Sequence, residues 1–184
     1  MTIIEQLMVD ANFKHSRNVS SISKIIALAY GYNKKEAGEI EQAALFHDIG
    51  KTAIPPAILN KQGPLTPEEF TAVKNHTEAG HARLMEAVGL LMVAAAVAKE
   101  HHERLDGSGY LRMPGSDMNP YARLISIADV FDALLSRRAY KPSWGVTETI
   151  QYLNDHTDHF DNEIVRCLIS ELDSVLLVYK NRMV

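Results

Sequence analysis

Apolar residues recur at the spacing of an α-helix along most of this chain, and no segment shows the strict alternation of a β-strand. In residues 16–30, Val19, Ile22, Ile26 and Ala29 fall on one helical face, and Gly31 follows as a typical helix end. A stripe of this period is buried by packing against neighbouring elements, and no strands are predicted to provide a sheet. The pattern therefore constrains the chain to an all-α fold.

Two helix starts are marked by capping residues. Thr66 precedes Pro67, and Glu69 stands three residues after Thr66, which is the spacing of a capping box. Asn119 precedes Pro120 in a similar way. A helix is predicted to begin at each of these two positions.

The other boundaries follow from apolar stripes, glycines and prolines. The stripe in residues 37–45 predicts a helix that ends near Gly50, and residues 162–180 are predicted to form a C-terminal helix. The longest irregular stretch is predicted over residues 105–120. A loop of that length in a compact domain is often functional, so it is a candidate part of a site.

Composition excludes several classes of protein. With 184 residues, 46% hydrophobic and 23% charged, the chain is predicted to form one globular domain over residues 1–184. The net charge of −4 gives no broad attraction for a DNA or RNA backbone, so no nucleic-acid partner is expected. The single Cys167 cannot form an internal disulfide. No signal peptide or membrane segment is predicted, because the longest apolar run, residues 88–98, is too short; a cytoplasmic location is expected.

Histidine and aspartate stand in several separate predicted helices, and twice as adjacent pairs. Together they offer the mixed nitrogen and oxygen ligands that suit iron, manganese or zinc. Adjacent helical residues diverge by about 100°, so a pair can serve two neighbouring metals with the aspartate as a bridge. A two-metal site is predicted. The candidates of these two residue types are His15, His47, Asp48, His76, His81, His101, His102 and Asp129.

Taken one at a time, these residues have simpler explanations. A single histidine in a helix is most often exposed or bound to one backbone carbonyl. His47 and Asp48 could form a charge pair at a helix end. Asp129 could be a core acid paired with Arg123 or Arg138. Together these explanations are less satisfactory, because each histidine or aspartate would then need an explanation of its own.

Basic residues near the candidate ligands suit a phosphate substrate. Two metal ions about 3.5–4 Å apart can activate a water and neutralise charge on a phosphoryl group. Lys51, three residues after Asp48, could supply a further cation, although it could also be a helix-end lysine. Arg137, Arg138 and Lys141 form a local basic cluster that suits phosphate, with a solvated charge run as the alternative.

Four motifs carry a family resemblance: "FHDIGK", "HHERLDGSGY", "RLISIADVFDALLSRRAYK" and "HFDNEIV". Together they resemble the HD-GYP domain, the branch of the HD phosphohydrolase superfamily associated with hydrolysis of cyclic di-GMP. The resemblance extends from about His15 to about Leu168. It implies a single-domain helical bundle with a metal site in its core. It also implies a metal-dependent phosphodiesterase that forms pGpG, GMP or both by means of a water activated by two metals.

The resemblance also implies roles for individual residues. It implies that seven of these histidines and aspartates, all except His81, are the metal ligands. Glu103 and Asp106 are interpreted as residues that support the ligands or order the loop, and not as ligands. The implied catalytic residues are Asp48 and Lys51. The implied substrate-binding residues are Lys51, Tyr110, Asp132, Arg138 and Lys141.

The chain departs from the family pattern at several positions. Leu111 replaces the proline of the GYP signature, and Gln62 and Ala139 also stand where prolines are common, so looser loops are expected. Ala11 stands where members with a third metal have glutamate; two metals, iron or manganese, are therefore predicted. His81 has no family role and is interpreted as structural.

Two other functions remain open from the sequence. One is an HD-type phosphohydrolase that acts on mononucleotides, although simple HD enzymes lack the glycine loop and the basic cluster. The other is a non-catalytic module that binds a nucleotide or a partner such as a GGDEF-type cyclase. A metal-dependent rate of turnover would distinguish catalysis from binding.

Overall fold

The structure, a computed structural model, describes residues 13–87, 92–136 and 143–180. Within these ranges it contains α-helices and two 3₁₀ turns, Ile49–Ala53 and Gly115–Asp117, and no β-strand. The prediction of an all-α fold is confirmed. The helices are α1 (Phe13–Tyr30), α2 (Lys34–Leu45), α3 (Pro56–Leu59), α4 (Pro67–Lys74), α5 (His76–Glu86), α6 (Met92–Glu100), α7 (Pro120–Leu135), α8 (Val146–Asp155), α9 (Asn162–Ser170) and α10 (Leu172–Lys180).

Helix α1 packs against four other helices, namely α2, α7, α9 and α10. Three residues of its predicted apolar face, Val19, Ile22 and Ile26, are fully buried, whereas the fourth, Ala29, is exposed near the end of the helix. Helix α6 packs against α2, α5 and α7. Its alanine-rich face allows close approach of these neighbours, while Met92 at its start is exposed. This packing brings the ends of α2 and α6 close to the middle of α7.

The predicted helix starts are confirmed by their caps. The Glu69 amide donates to Thr66 Oγ1 at 3.2 Å, and the Thr66 amide donates to Glu69 Oε2 at 2.7 Å. Asn119 Oδ1 accepts from the Tyr121 amide at 2.9 Å. These bonds satisfy backbone donors that have no partner inside the helix.

The predicted end of α2 near Gly50 is wrong, because the α-helix stops at Leu45 and the chain turns before the 3₁₀ turn. The turn places Gly50 against the start of α5. A Cβ on Gly50 would lie 1.9 Å from the His76 carbonyl oxygen and 2.5 Å from the Gly80 amide nitrogen, so glycine is required here. Because α2 ends early, the chain turns there, and Phe46, His47 and Asp48 are all buried.

The predicted C-terminal helix over residues 162–180 is divided in two. Glu171 has φ −102° and ψ 18°, values that interrupt the helical geometry between α9 and α10. The long irregular stretch after α6 is present as predicted, and its one regular element is the second 3₁₀ turn. Among the described helices, none is long and apolar enough to cross a membrane.

Candidate metal centre

All seven candidate ligands converge on one interior region, although they come from five separate parts of the fold. His15 lies in the first turn of α1, and Asp129 lies in the middle of α7. His76 is the first residue of α5. The two adjacent pairs, His47 with Asp48 and His101 with His102, lie just beyond the ends of α2 and α6.

The ligand atoms form two groups, and within each group they lie within 4.8 Å of one another. We call them the Asp48 group and the Asp129 group. The Asp48 group consists of Asp48, His76, His101 and His102. The Asp129 group consists of His15, His47 and Asp129.

The Asp48 carboxylate lies between the two groups. Its Oδ1 atom is 3.4 Å from His76 Nε2 and 3.7 Å from His101 Nε2. Its Oδ2 atom is 3.3 Å from His47 Nε2 and 3.9 Å from His15 Nε2. One oxygen therefore faces each group, which is the arrangement of a carboxylate that can bridge two ions.

Three of the imidazole rings are oriented by backbone carbonyls. The Nδ1–H groups of His47 and His76 each donate to the carbonyl oxygen three residues earlier, at 2.7 Å in both cases. His101 Nδ1 lies 3.0 Å from the carbonyl oxygen three residues before it. Because Nδ1 holds the proton, the Nε2 lone pair of each ring points toward the site.

His15 is oriented by a side chain instead. Its Nδ1–H donates to Asp132 Oδ2 at 2.6 Å. Asp132 is fully buried and also accepts from Asn18 Nδ2 at 2.8 Å, Tyr179 Oη at 2.9 Å and Ser136 Oγ at 3.2 Å. This position corrects the expectation that Asp132 contacts substrate, because both of its oxygens are used behind His15.

Lys51 lies at the edge of the site and donates from Nζ to Asp48 Oδ2. Its side chain is 18% exposed, so it reaches from the surface to the buried carboxylate. Burial alone would raise the pKa of the Asp48 carboxyl, but the charge of the Lys51 ammonium holds that pKa well below its usual range. Asp48 is therefore ionised at neutral pH.

The two groups differ in charge. Burial would lower the pKa of His15, but hydrogen bonds to Asp129 and Asp132 raise it to about 10. Burial, together with the neighbouring His101, lowers the pKa of His76 to about 4, and the same two causes hold the pKa of His102 well below its usual range. His76 and His102 are thus neutral imidazoles at neutral pH, whereas the ring of His15 is protonated on both nitrogens.

Two buried atoms at the centre support a metal. His47 Nε2 and Asp48 Oδ1 have no hydrogen-bond partner among the described residues. Buried polar atoms are nearly always paired, and each unpaired one costs about 1–3 kcal/mol. His47 Nε2 belongs to the Asp129 group, whereas Asp48 Oδ1 faces His76 and His101, so the two lone pairs fit one cation in each group. This donor set suits iron, manganese or zinc.

The proposed ion pair between Asp129 and Arg123 is wrong. Asp129 Oδ1 lies 3.0 Å from His15 Nε2, and its other oxygen is 4.0 Å from His102 Nδ1. The Arg123 guanidinium donates to the Gly115 carbonyl at 2.6 Å instead. Arg137, Arg138, Ala139 and Lys141 lie outside the described residues, as does Ala11.

The loop after α6 is attached to the fully buried Glu103. The Leu111 amide donates to Glu103 Oε1 at 2.8 Å, and the Met113 amide donates to Oε2 at 3.0 Å. A Cβ on Gly109 would lie 2.4 Å from Glu103 Cα, so glycine is required at this close approach. The Leu111 amide makes a bond that proline cannot make, and this bond opposes the looser loop expected there.

Three further residues singled out in the sequence, Asp106, His81 and Gln62, lie outside the two ligand groups. Asp106 orders the loop as predicted, since its Oδ1 accepts from the Ser108 amide at 2.9 Å. His81 is structural as predicted, since its Nδ1 donates to the Ala95 carbonyl at 3.1 Å and joins α5 to α6. Gln62 lies exposed in the connection between α3 and α4.

Tyr110 forms part of the outer wall of the Asp48 group. Its ring centroid lies 4.5 Å from that of His102 and 6.0 Å from that of Phe70, which is nearly perpendicular to it at 83°. The Lys74 ammonium lies over both Phe70 and Tyr110. Sequence analysis missed Phe70 and Lys74; their spacing of four residues on the short helix before His76 was the available signal.

Comparison with known proteins agrees with the fold and the site. Residues 3–164 match the family model described as "HD domain". The chain is 40% identical over 137 residues to the cyclic di-GMP phosphodiesterase response regulator RpfG of Xanthomonas campestris, with 73% of this chain and 36% of the relative covered. It is 36% identical over 167 residues to the 3′3′-cGAMP-specific phosphodiesterase 2 of Vibrio cholerae, with 89% and 32% covered. The chain thus spans about a third of the length of these relatives.

A solved structure shows the same fold. The HDG"Y"P protein Bd1817 from Bdellovibrio bacteriovorus superposes with a TM-score of 0.71 at 22% sequence identity, covering 90% of this chain and 55% of that protein. HD phosphohydrolases are a metal-dependent family, and the two groups of histidine and aspartate provide the ligands that such a family requires. The family model covers most of the chain, and the HD pair lies at the centre of the site. The chain therefore belongs to the HD domain family, as its HD-GYP-like motifs predicted.

Proposed function

We propose that this protein is a metal-dependent phosphodiesterase that hydrolyses cyclic di-GMP or a related cyclic dinucleotide to pGpG, GMP or both. The observation that carries the proposal is the position of Asp48, with one oxygen toward each of two groups of ligand atoms. Two divalent transition metals, iron or manganese, fit this arrangement. The family matches support the same class of reaction, since the relatives named above are cyclic dinucleotide phosphodiesterases.

The residues of the site have distinct tasks in this proposal. The seven histidines and aspartates would hold the metals, which when bound supply Lewis acidity and activation of water. Lys51 supplies a fixed positive charge beside Asp48, where charge develops on the phosphoryl oxygens during attack. The burial of His47, His76 and His101 keeps bulk water away and strengthens these interactions.

Substrate contacts are proposed at the edges of the site. Tyr110 borders the Asp48 group and offers an aromatic ring and a hydroxyl to the nucleotide. Arg138 and Lys141, outside the described residues, are proposed to bind its phosphates. Asp132 is instead a positioning residue that holds His15. A GGDEF-type cyclase is a candidate partner and the cytoplasm a candidate location, because such enzymes synthesise the substrate there.

The first experiment combines elemental analysis of anaerobically purified protein with a hydrolysis assay on the same sample. We expect about two transition metals per chain, and pGpG or GMP formed from cyclic di-GMP. Turnover of mononucleotides alone would favour the simple HD phosphohydrolase. Bound metal without turnover, in iron-loaded and manganese-loaded samples alike, would indicate a binding module and refute the proposed reaction.

A further inference from the structure

The chain carries an aromatic and cationic surface beside the metal centre, of which the proposed function uses only Tyr110. We call it the α4 rim; it consists of Phe70 and Lys74 on α4 and Tyr110 on the loop after α6. A nucleobase lies one sugar away from its phosphate, so a base must contact the border of the site when its phosphate lies at the ligands. The α4 rim is the part of that border that adjoins the Asp48 group.

The rim forms a continuous series of rings that leads outward from the ligands. The Tyr110 ring packs 4.5 Å from His102, and Phe70 follows at 6.0 Å from Tyr110. Phe70 is 43% exposed, so part of its ring is available to a ligand. Aromatic side chains of this kind are the usual surfaces on which proteins stack nucleobases.

Lys74 supplies hydrogen-bond donors to the rim. Its Nζ lies 4.8 Å from the ring centroid of Phe70 and 5.1 Å from that of Tyr110. Within the described residues no carboxylate lies within 4.0 Å of this ammonium, whereas Lys61 pairs with Glu69 at 2.5 Å. The two rings therefore hold Lys74 in place while its N–H donors face no acidic partner.

The chemistry of the ammonium distinguishes between purines. Lysine offers donors and no acceptor. Guanine presents two acceptors, O6 and N7, on the edge that lysine contacts, whereas adenine presents one acceptor and one donor there. A donor-only group is thus matched to guanine and mismatched to adenine.

We propose that the α4 rim is a guanine-binding subsite, in which Phe70 and Tyr110 contact the base and Lys74 donates to its O6 and N7 atoms. The proposal rests on the proposed cyclic dinucleotide substrate and adds which base is selected beside the Asp48 group. In a mixed cyclic dinucleotide, the guanine half binds at the rim. The position of the guanine then decides which of the two phosphodiester bonds lies at the ligands.

The first test replaces Lys74 by glutamine, which pairs with the N6 and N7 atoms of adenine. The ratio of kcat/KM for cyclic di-GMP to that for cyclic di-AMP should fall about tenfold in Lys74→Gln, and Lys74→Arg should keep it. With 3′3′-cGAMP, wild type should form mainly one of the linear products pGpA and pApG, and Lys74→Gln should shift the product ratio. Equal losses on both substrates with an unchanged product ratio would overturn the proposal.

The second test concerns the aromatic ring. Phe70→Leu keeps apolar area but removes stacking, and it should raise KM for cyclic di-GMP by about tenfold with little change in kcat. Phe70→Trp should keep KM low. The control is Lys35→Gln, which removes an 88% exposed lysine at the start of α2 and should change neither parameter. An unchanged KM in Phe70→Leu would exclude a stacking role.

Equilibrium binding separates the subsite from the reaction. The dissociation constants of cyclic di-GMP and cyclic di-AMP are measured on the same manganese-loaded variants. If wild type hydrolyses neither ligand but Lys74→Gln reverses their relative affinity, the subsite stands and the proposed reaction fails. If wild type hydrolyses cyclic di-GMP and Lys74→Gln leaves the affinity ratio unchanged, the reaction stands and the subsite fails. Absence of binding to either ligand would overturn both.

Discussion

The two ligand groups share Asp48 but are held in place by different means. In the Asp48 group, His76 and His101 donate to backbone carbonyls near their own positions in the chain. In the Asp129 group, His15 donates to the side chain of Asp132, which lies 117 residues away in the sequence. A backbone carbonyl cannot be removed by substitution, whereas a carboxylate can. The comparison shows that His76 and His101, like His47 of the Asp129 group, are oriented by carbonyls of their own chain segment. The orientation of His15 depends instead on a distant polar network.

The largest effect is expected from Asp48→Ala, because this carboxylate faces both groups. Loss of a ligand shared by two ions should remove several kcal/mol of transition-state stabilisation, so kcat/KM should fall about a thousandfold or more. Elemental analysis should show that both metals are lost. The matched control, Asp173→Ala, changes an exposed aspartate on α10 and should keep metal and activity. Retention of two metals by Asp48→Ala would refute the bridging position.

Asp129→Ala should affect mainly its own group. His15 and His47 lose the carboxylate that completes their set, and we expect one metal per chain to be retained by the Asp48 group. Activity should fall about a hundredfold or more, whereas circular dichroism should show an intact helical fold. Full metal content and full turnover in this variant would show that Asp129 is not a ligand.

Asp132→Asn tests the difference between the two groups directly. Asparagine keeps the size of the side chain but removes the charge that holds the proton on His15 Nδ1. Loss of such an orienting carboxylate lowers metal affinity or activity about 10–100-fold. The loss should be confined to one of the two metals, as measured by stepwise titration with a chelator. The Asp48 group has no equivalent, because its carbonyl partners remain in every variant.

A control on the same network separates positioning from stability. Tyr179→Phe removes one donor to Asp132 Oδ1, but Asn18 still donates to that oxygen at 2.8 Å. Metal affinity in Tyr179→Phe should therefore change by no more than about threefold. If Tyr179→Phe and Asp132→Asn lost the same metal to the same extent, general loosening of α1 and α7 would explain both results.

The sequence predicted features that depend on neighbouring residues better than contacts between residues that are distant in the chain. The helix starts at Pro67 and Pro120 depend on residues within three positions, and both are present. The seven candidate ligands, which the structure brings together, were predicted from two adjacent pairs and from motifs of local sequence that resemble a known family. The role of Asp132 was missed because its partner His15 is distant in the chain and its burial depends on the packing of α1 against α7.

The same reasoning applies to the loop at Leu111. A missing proline predicts a looser loop when only backbone propensity is considered. The structure adds a buried acceptor, Glu103, eight residues earlier, and its bond to the Leu111 amide replaces the lost constraint. Whether a leucine loosens a loop depends on where its N–H group points, and the local sequence does not contain that information.

Leu111→Pro should have the smallest effect, because it changes the wall of the Asp48 group and no ligand. The substitution restores the family signature but removes the N–H that donates to Glu103. An unpaired buried acceptor costs about 1–3 kcal/mol, and each kcal/mol lowers Tm by roughly 2–4 °C in a protein of this size. The position of Tyr110 should shift with the loop, so KM should rise severalfold while both metals are kept.

The matched variant Leu111→Ala retains the N–H group and removes most of the side chain. If the hydrogen bond is what orders the loop, Leu111→Ala should keep KM close to wild type, even where loss of packing lowers Tm slightly. The opposite order, in which Leu111→Pro is the more stable and the more active variant, would mean that a fixed φ angle contributes more than the bond to Glu103. The outer wall of the Asp48 group would then depend on the stiffness of the loop backbone. In that case the loop would resemble His76 and His101, which backbone groups hold in place, and would differ from His15, which depends on the side chain of Asp132.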